Sequence, residues 1–161
     1  GSVRVYAARK GSYPVQDNVA ALLAEEDHKG VNDLATLRAF AKRVTQSKLD
    51  LYKLLADIKA EGKRVYAIGA PSRASTLITY TGLDVDIIDC VLEITGSHKI
   101  GRYMPGTLIP VLDERLLFED QPEYAMLTSW HIAEELMPKL RAKGYKGTFI
   151  IPLPSPRLVA D

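Results

Sequence analysis

A single cysteine and a single tryptophan occur in these 161 residues. The lone thiol, Cys90, excludes an internal disulfide framework and fits a reducing compartment, the cytoplasm. Cys90 and the three histidines, His28, His98 and His131, show no ligand spacing, so no metal is expected on this chain. Neither sign of charge prevails. Lys and Arg number 21 against 20 Asp and Glu, which removes the basic surface that nucleic acid or an anionic membrane would require. No apolar run is long enough to cross a bilayer, and no signal peptide opens the chain. A full GxGxxG turn, a Walker lysine and a nucleophile elbow are all missing, as are internal repeats and low-complexity tracts.

The apolar fraction, 47%, suffices for the core of one α/β domain of this length. Gly1-Ser2 reads as a cloning remnant, so Val3 is expected to start in the middle of a larger natural protein. Val3–Ala7 alternates like a strand, closed by a turn at Tyr13-Pro14. A polar-capped helix is predicted from Asp17 or Asn18 to just before Gly30. A long one follows from Asp33 to Glu61, with Leu34, Leu37, Phe40, Leu51, Leu55 and Ile58 in helical spacing and Gly62 as left-handed cap.

From Lys63 the pattern becomes alternating strands and helices. Strands are predicted at 64–69, Ile87–Ile94, Thr107–Val111 and 124–129, and a last one in GTFIIPLP, followed by a proline tail. Helices are predicted at Ser72–Tyr80, from Asp113 to Phe118, and at His131–Ala142; Thr95–Gly106 is irregular. The fold class is therefore α/β. A Rossmann-like, mainly parallel sheet carries helices on both faces and is preceded by an N-terminal helical segment with one long helix. The expected division is a linker strand and helices over 1–62 and a Rossmann-like domain over 63–161.

Three stretches carry chemistry. The turn Gly69-Ala70-Pro71-Ser72-Arg73-Ala74-Ser75-Thr76 leaves a strand and opens a helix, whose amino end favours an anion. Gly69 and Ala70 keep the wall small, Ser72, Ser75 and Thr76 offer hydroxyls, and Arg73 offers a planar cation. An ordinary tight turn with Pro71 in its first helical turn explains the same residues. The irregular stretch from Gly96 to Thr107 gathers His98, Lys99, Arg102 and Tyr103 with Gly106 and Thr107, either as a ligand loop or as a solvated basic one. Trp130-His131 ends a buried strand, where the indole can stack on a base and the imidazole can meet a ribose or phosphate; core packing and capping are the alternatives.

The order GAPSRASTLITY, IIDCVLEITGSHKIGRYMPGT, EDQPEYAMLTSWHIAEELMPKL and TFIIPLP resembles the C-terminal domain of SAM-dependent sugar C-methyltransferases. VRVYAARKGSYPVQDNVAALLAEE is similar to the segment joining that family's SAM domain to this one, so the likeness covers the chain from Val3. The resemblance implies a zinc-binding N-terminal domain and a SAM-binding middle domain outside this chain, and a nucleotide-diphosphate sugar held between the middle domain and this one. It implies phosphate contacts from Gly69–Thr76, an HKxGRYxPGT pattern at His98 to Thr107, and a Trp-Asn pair at Trp130-His131. Arg73-Ala74 stands for the usual Lys-Gly, Glu93-Ile94 for Asp-Arg, and His131 for Asn, which leaves the sugar and the base open. In the implied reaction a base removes a proton beside the sugar keto group and the enolate attacks the SAM methyl. This chain would hold substrate, be inactive alone, contribute no catalytic residue and carry no cofactor itself. Its partners would be the nucleotide sugar and the methyltransferase domain of the same polypeptide, with oligomerisation left open. Two rivals remain. One is a regulatory module for a dinucleotide or CoA, with Asp89 or Glu93 at the ribose. The other is a structural domain that oligomerises or covers the SAM domain through the long helix.

Overall fold

The computed structural model describes residues 3–160, so the expected remnant at Gly1 and Ser2 lies outside the described residues. The chain divides into two compact units, Gly1–Arg43 and Val44–Asp161, each described by itself.

In the first unit, α1 spans Asp17–His28, with Asp17 in the first turn and His28 in the last. It buries no residue: Val19, Leu22 and Leu23 are all exposed. The strand expected at Val3–Ala7 does not form. These residues pair with no strand, and Val3, Val5 and Tyr6 are exposed. Alternation alone makes no strand without a ladder to join.

Helix α2 runs from Leu34 to Ala60, close to the predicted bounds, and Gly62 follows at φ +72°. Its apolar positions have two fates. Leu51, Leu55 and Ile58 are buried at spacings of four and three residues, within the second unit. Leu34, Leu37 and Phe40 are exposed.

The second unit is a six-stranded sheet in the order β3-β2-β1-β4-β5-β6. Its members are β1 (Val65–Ile68), β2 (Cys90–Glu93), β3 (Val111–Asp113), β4 (Tyr124–Leu127), β5 (Thr148–Ile151) and β6 (Arg157–Val159). The first five are parallel and β6 is antiparallel to β5. The connecting helices are α3 (Ser72–Thr81), α4 (Arg115–Asp120) and α5 (Ala133–Ala142). Strand side chains alternate between two cores, as parallel strands covered on both faces must. Val65, Ala67, Val91, Met126 and Ile150 pack with α2 and α3. Ile68, Cys90, Leu92, Leu127 and Phe149 pack with Leu117 of α4 and Leu140 of α5.

Several boundaries differ from expectation. Asp84–Ile88 turns before β2 begins, and the expected strand at Thr107–Val111 begins only at Val111. Pro110 has no N–H to give a ladder, although its carbonyl accepts from Val91 at 2.9 Å. Instead Tyr103 bridges Pro110 antiparallel and the Met104 N–H donates to Ile109, so 101–111 is a hairpin. The proline tail returns as β6 after Pro152, Pro154 and Pro156, with Ile151 opposite Arg157. A short 3₁₀ turn over Trp130–Ile132 precedes α5, where an unbroken helix from His131 was expected.

Candidate functional site

The sheet order reverses at β1. From β1 the chain steps to β2 and β3 on one side, and β4 and β5 lie on the other. The connections leaving β1 and β4 therefore part company. One leads to α3 over the first core and the other to α5 over the second, the topological point at which a doubly wound sheet opens a crevice at its carboxyl ends. Gly69–Thr76 lies on one side of it and Thr128–His131 on the other.

The β1 side is tightly held. Gly69 sits at φ +90°, and a Cβ there would lie 3.2 Å from the Thr128 hydroxyl, so glycine serves both the turn and the close approach. Thr128 is wholly buried, and its hydroxyl lies 2.6 Å from the Ile68 carbonyl and 2.7 Å from that of Gly69. Its one proton serves these two acceptors in turn. Pro71 precedes α3, which no side chain caps, so the amino end of that helix is open to an anion. Ala74 is buried beneath the first turn, Ser75 is half-buried, and Ser72, Arg73 and Thr76 are exposed.

Arg73 reaches across the crevice. Its Nη1 lies 2.9 Å from His131 Nδ1. A guanidinium only donates, so Nδ1 is the acceptor and the ring proton sits on Nε2. Trp130 is half-buried and packs against both cores, plugging the point where the two layers meet. The indole thus has a structural role whatever else it touches.

The loop after β2 joins from the third side. Lys99 donates to the Ala70 carbonyl at 2.8 Å and to Glu93 Oε1 at 3.1 Å. The same Oε1 accepts the Ala70 N–H at 2.6 Å. Burial works to raise the Glu93 pKa, but the Ala70 N–H and Lys99 outweigh it and hold the carboxyl below its ordinary value. Arg102 folds back so that its Nε donates to the His98 carbonyl at 3.2 Å, and His98 itself is exposed.

The remaining sequence-predicted residues lie elsewhere. Gly106 and Thr107, at the hairpin tip, line a hollow with Asp84, Val85, Asp86 and Leu108, and Gly106 faces Thr79 near the far end of α3. Tyr103, in the hairpin arm, is exposed. Asp89, a candidate ribose acid by spacing, sits at the opposite end of β2 from the crevice. It takes the Val65 N–H at 2.7 Å and the Lys59 ammonium at 3.0 Å. Thr128 escaped the sequence reading; a hydroxyl ending a buried strand was its only signal. Glu93 was noted for its distance from the glycine turn and as a departure from the family's Asp-Arg, and its partners prove to be the Ala70 N–H and Lys99.

A family described as C-methyltransferase C-terminal domain matches residues 1–154. The chain belongs to the C-methyltransferase C-terminal domain family. The C-methyltransferase NovU of Streptomyces niveus is 32% identical over 162 residues, covering 99% of this chain and 38% of NovU. The chain therefore spans well under half the length of that relative. Among the described residues no three His, Cys, Asp or Glu side chains come together as a metal site, and no helix is long and apolar enough to cross a membrane.

Proposed function

We propose that this C-methyltransferase C-terminal domain holds a nucleotide-diphosphate sugar at the crevice between β1 and β4, and that the site lies within residues 63–161. The observation that carries this reading is the Arg73–His131 contact across the crevice, beside the uncapped amino end of α3. A diphosphate seated there meets a guanidinium, an imidazole N–H and a helix dipole together. Ser72 and Thr76 flank the same helical turn, with Lys99 and Arg102 on the adjoining loop, while Trp130 backs the seat.

The methyl donor and any zinc belong, in this reading, to other parts of a longer cytoplasmic protein. Glu93 stands where a Rossmann domain places its ribose-binding acid, 23 positions beyond Ala70, but its Oε1 is turned inward and the side chain is only 13% exposed. That argues equally against the dinucleotide or CoA reading. A bound SAM supplies an electrophilic methyl group; the residues here bind and orient the acceptor, and orientation is where the rate gain lies. A deoxysugar precursor is the acceptor class that the resemblance implies.

A structural contribution accompanies this role. The exposed Leu22, Leu23, Leu37 and Phe40 of the first unit fit an apolar partner surface, which we assign to the methyltransferase domain of the same polypeptide.

Calorimetry on this chain tests the proposal. UDP or dTDP should bind with Kd of about 0.1–1 mM, and the matching nucleosides more weakly. With SAM and a nucleotide keto-sugar, this chain alone should transfer no methyl group. No heat with any nucleoside diphosphate at millimolar concentration would overturn the reading.

A further inference from the structure

We infer that Glu93 is the positioning residue of this rim, a carboxylate that fixes the loop a ligand meets and keeps the Lys99 charge turned inward. Three hydrogen bonds close a ring around Ala70. Its N–H donates to Glu93 Oε1 at 2.6 Å, Lys99 donates to the same oxygen at 3.1 Å, and Lys99 also donates to the Ala70 carbonyl at 2.8 Å. Both polar groups of the Ala70 backbone are thus taken, one by each member of an ion pair. The ring lies where water cannot easily replace it, because Ala70 is 9% exposed and the Glu93 side chain 13%. A buried main-chain group left without its partner is costly, so the loop has one favoured course past the end of β1. The pair also cancels its own charge. An anion approaching the crevice meets Arg73 and His131 as the exposed donors, while the Lys99 ammonium is committed to Glu93 and Ala70. The sequence hides this arrangement, since Lys99 reads as a phosphate ligand and Glu93 as a ribose ligand until the fold joins them.

The positioning claim stands on these contacts alone, and its consequence for a nucleotide rests on the function proposed above. Glu93→Gln and Glu93→Ala separate the two parts. Glutamine retains an oxygen for the Ala70 N–H but loses the charge that restrains Lys99; alanine loses both. In the full chain, amide hydrogen exchange at Ala70 should stay slow in E93Q and rise about tenfold in E93A. Circular dichroism checks that both variants are folded. By calorimetry, E93Q should favour UDP over uridine about threefold more than the wild type does. E93A should bind UDP and uridine both more weakly, because the loop itself has lost its course. Lys99→Ala should lower the preference for UDP below that of the wild type, because it leaves the Glu93 carboxylate uncompensated at the rim. Unchanged Ala70 exchange in E93A, or fast exchange in E93Q, would refute the positioning role. Exchange that responds as expected in a protein binding neither UDP nor uridine would leave Glu93 its role and remove the nucleotide reading.

Discussion

At the scale of single residues, the crevice separates groups that face outward from groups that hold the frame. Arg73 is exposed, with His131 as its contact, so replacing it should alter ligand binding and leave the fold intact. Arg73→Ala is expected to weaken UDP about tenfold or more while uridine changes little, because a charge-assisted hydrogen bond is lost only for the diphosphate. Arg73→Lys should recover part of that, keeping the charge without the planar fork. Calorimetric titration of the three proteins measures it. Cys90 is of the other kind. It is 3% exposed, and burial pushes its thiol up to about 12. Iodoacetamide should therefore modify it only as fast as the sheet unit opens, with labelling accelerating sharply across the denaturation midpoint; rapid labelling of the native protein would contradict the burial.

At the scale of elements, α2 is the informative case. Its helical spacing is regular from Leu34 to Ile58, and from sequence every apolar position on it looks equivalent. Leu51, Leu55 and Ile58 are buried against the sheet, with Leu54 half-buried beside them. Leu55→Ala should cost about 2–5 kcal/mol in urea unfolding of this chain, whereas Leu37→Ala, at an exposed site, should cost under about 0.5 kcal/mol. The turn before β5 sets a second test. A Cβ on Gly147 would run into the Tyr145 hydroxyl and the Pro122 carbonyl oxygen. Tyr145 is buried there, donates to Pro122 at 3.1 Å and stacks at a tilt on Phe149, with ring centroids 5.1 Å apart. Gly147→Ala should therefore destabilise by about 1–3 kcal/mol, seen as a lowered Tm.

At the scale of the whole molecule, acid stability draws on ion pairs that tie distant segments of the sheet unit. Arg64, just before β1, donates from its backbone N–H and its guanidinium to Glu123, just before β4, at 3.0 and 3.3 Å. The backbone N–H of Arg64, then that of Glu123 itself and the Arg64 side chain, hold the Glu123 carboxyl down at about 2. A folded-state pKa below the unfolded one adds stability above the unfolded value. That stability is lost as pH falls from about 4.5 toward 2. The pair is about 40% exposed, so solvent limits its worth to about 1 kcal/mol or less. Glu123→Gln should lower stability slightly at pH 7 and flatten its decline between pH 4.5 and 2, as read by urea titrations across that range.

The sequence by itself determined the alternation of strands and helices, the bounds of α1, α2 and α3, the left-handed Gly62 and the family. These rest on helical period, glycine punctuation and the order of motifs, all of which are local. Tertiary structure decided whatever depends on a partner distant in the chain. It left Val3–Ala7 unpaired, turned the proline tail into β6, and moved Gly106 and Thr107 down a hairpin away from the crevice. It also closed Glu93 and Lys99 on Ala70 and brought Arg73 to His131. The physical reason is the same throughout: a ladder, an ion pair or a hydrogen bond across the switch point belongs to two segments at once, and the sequence around either one cannot name the other.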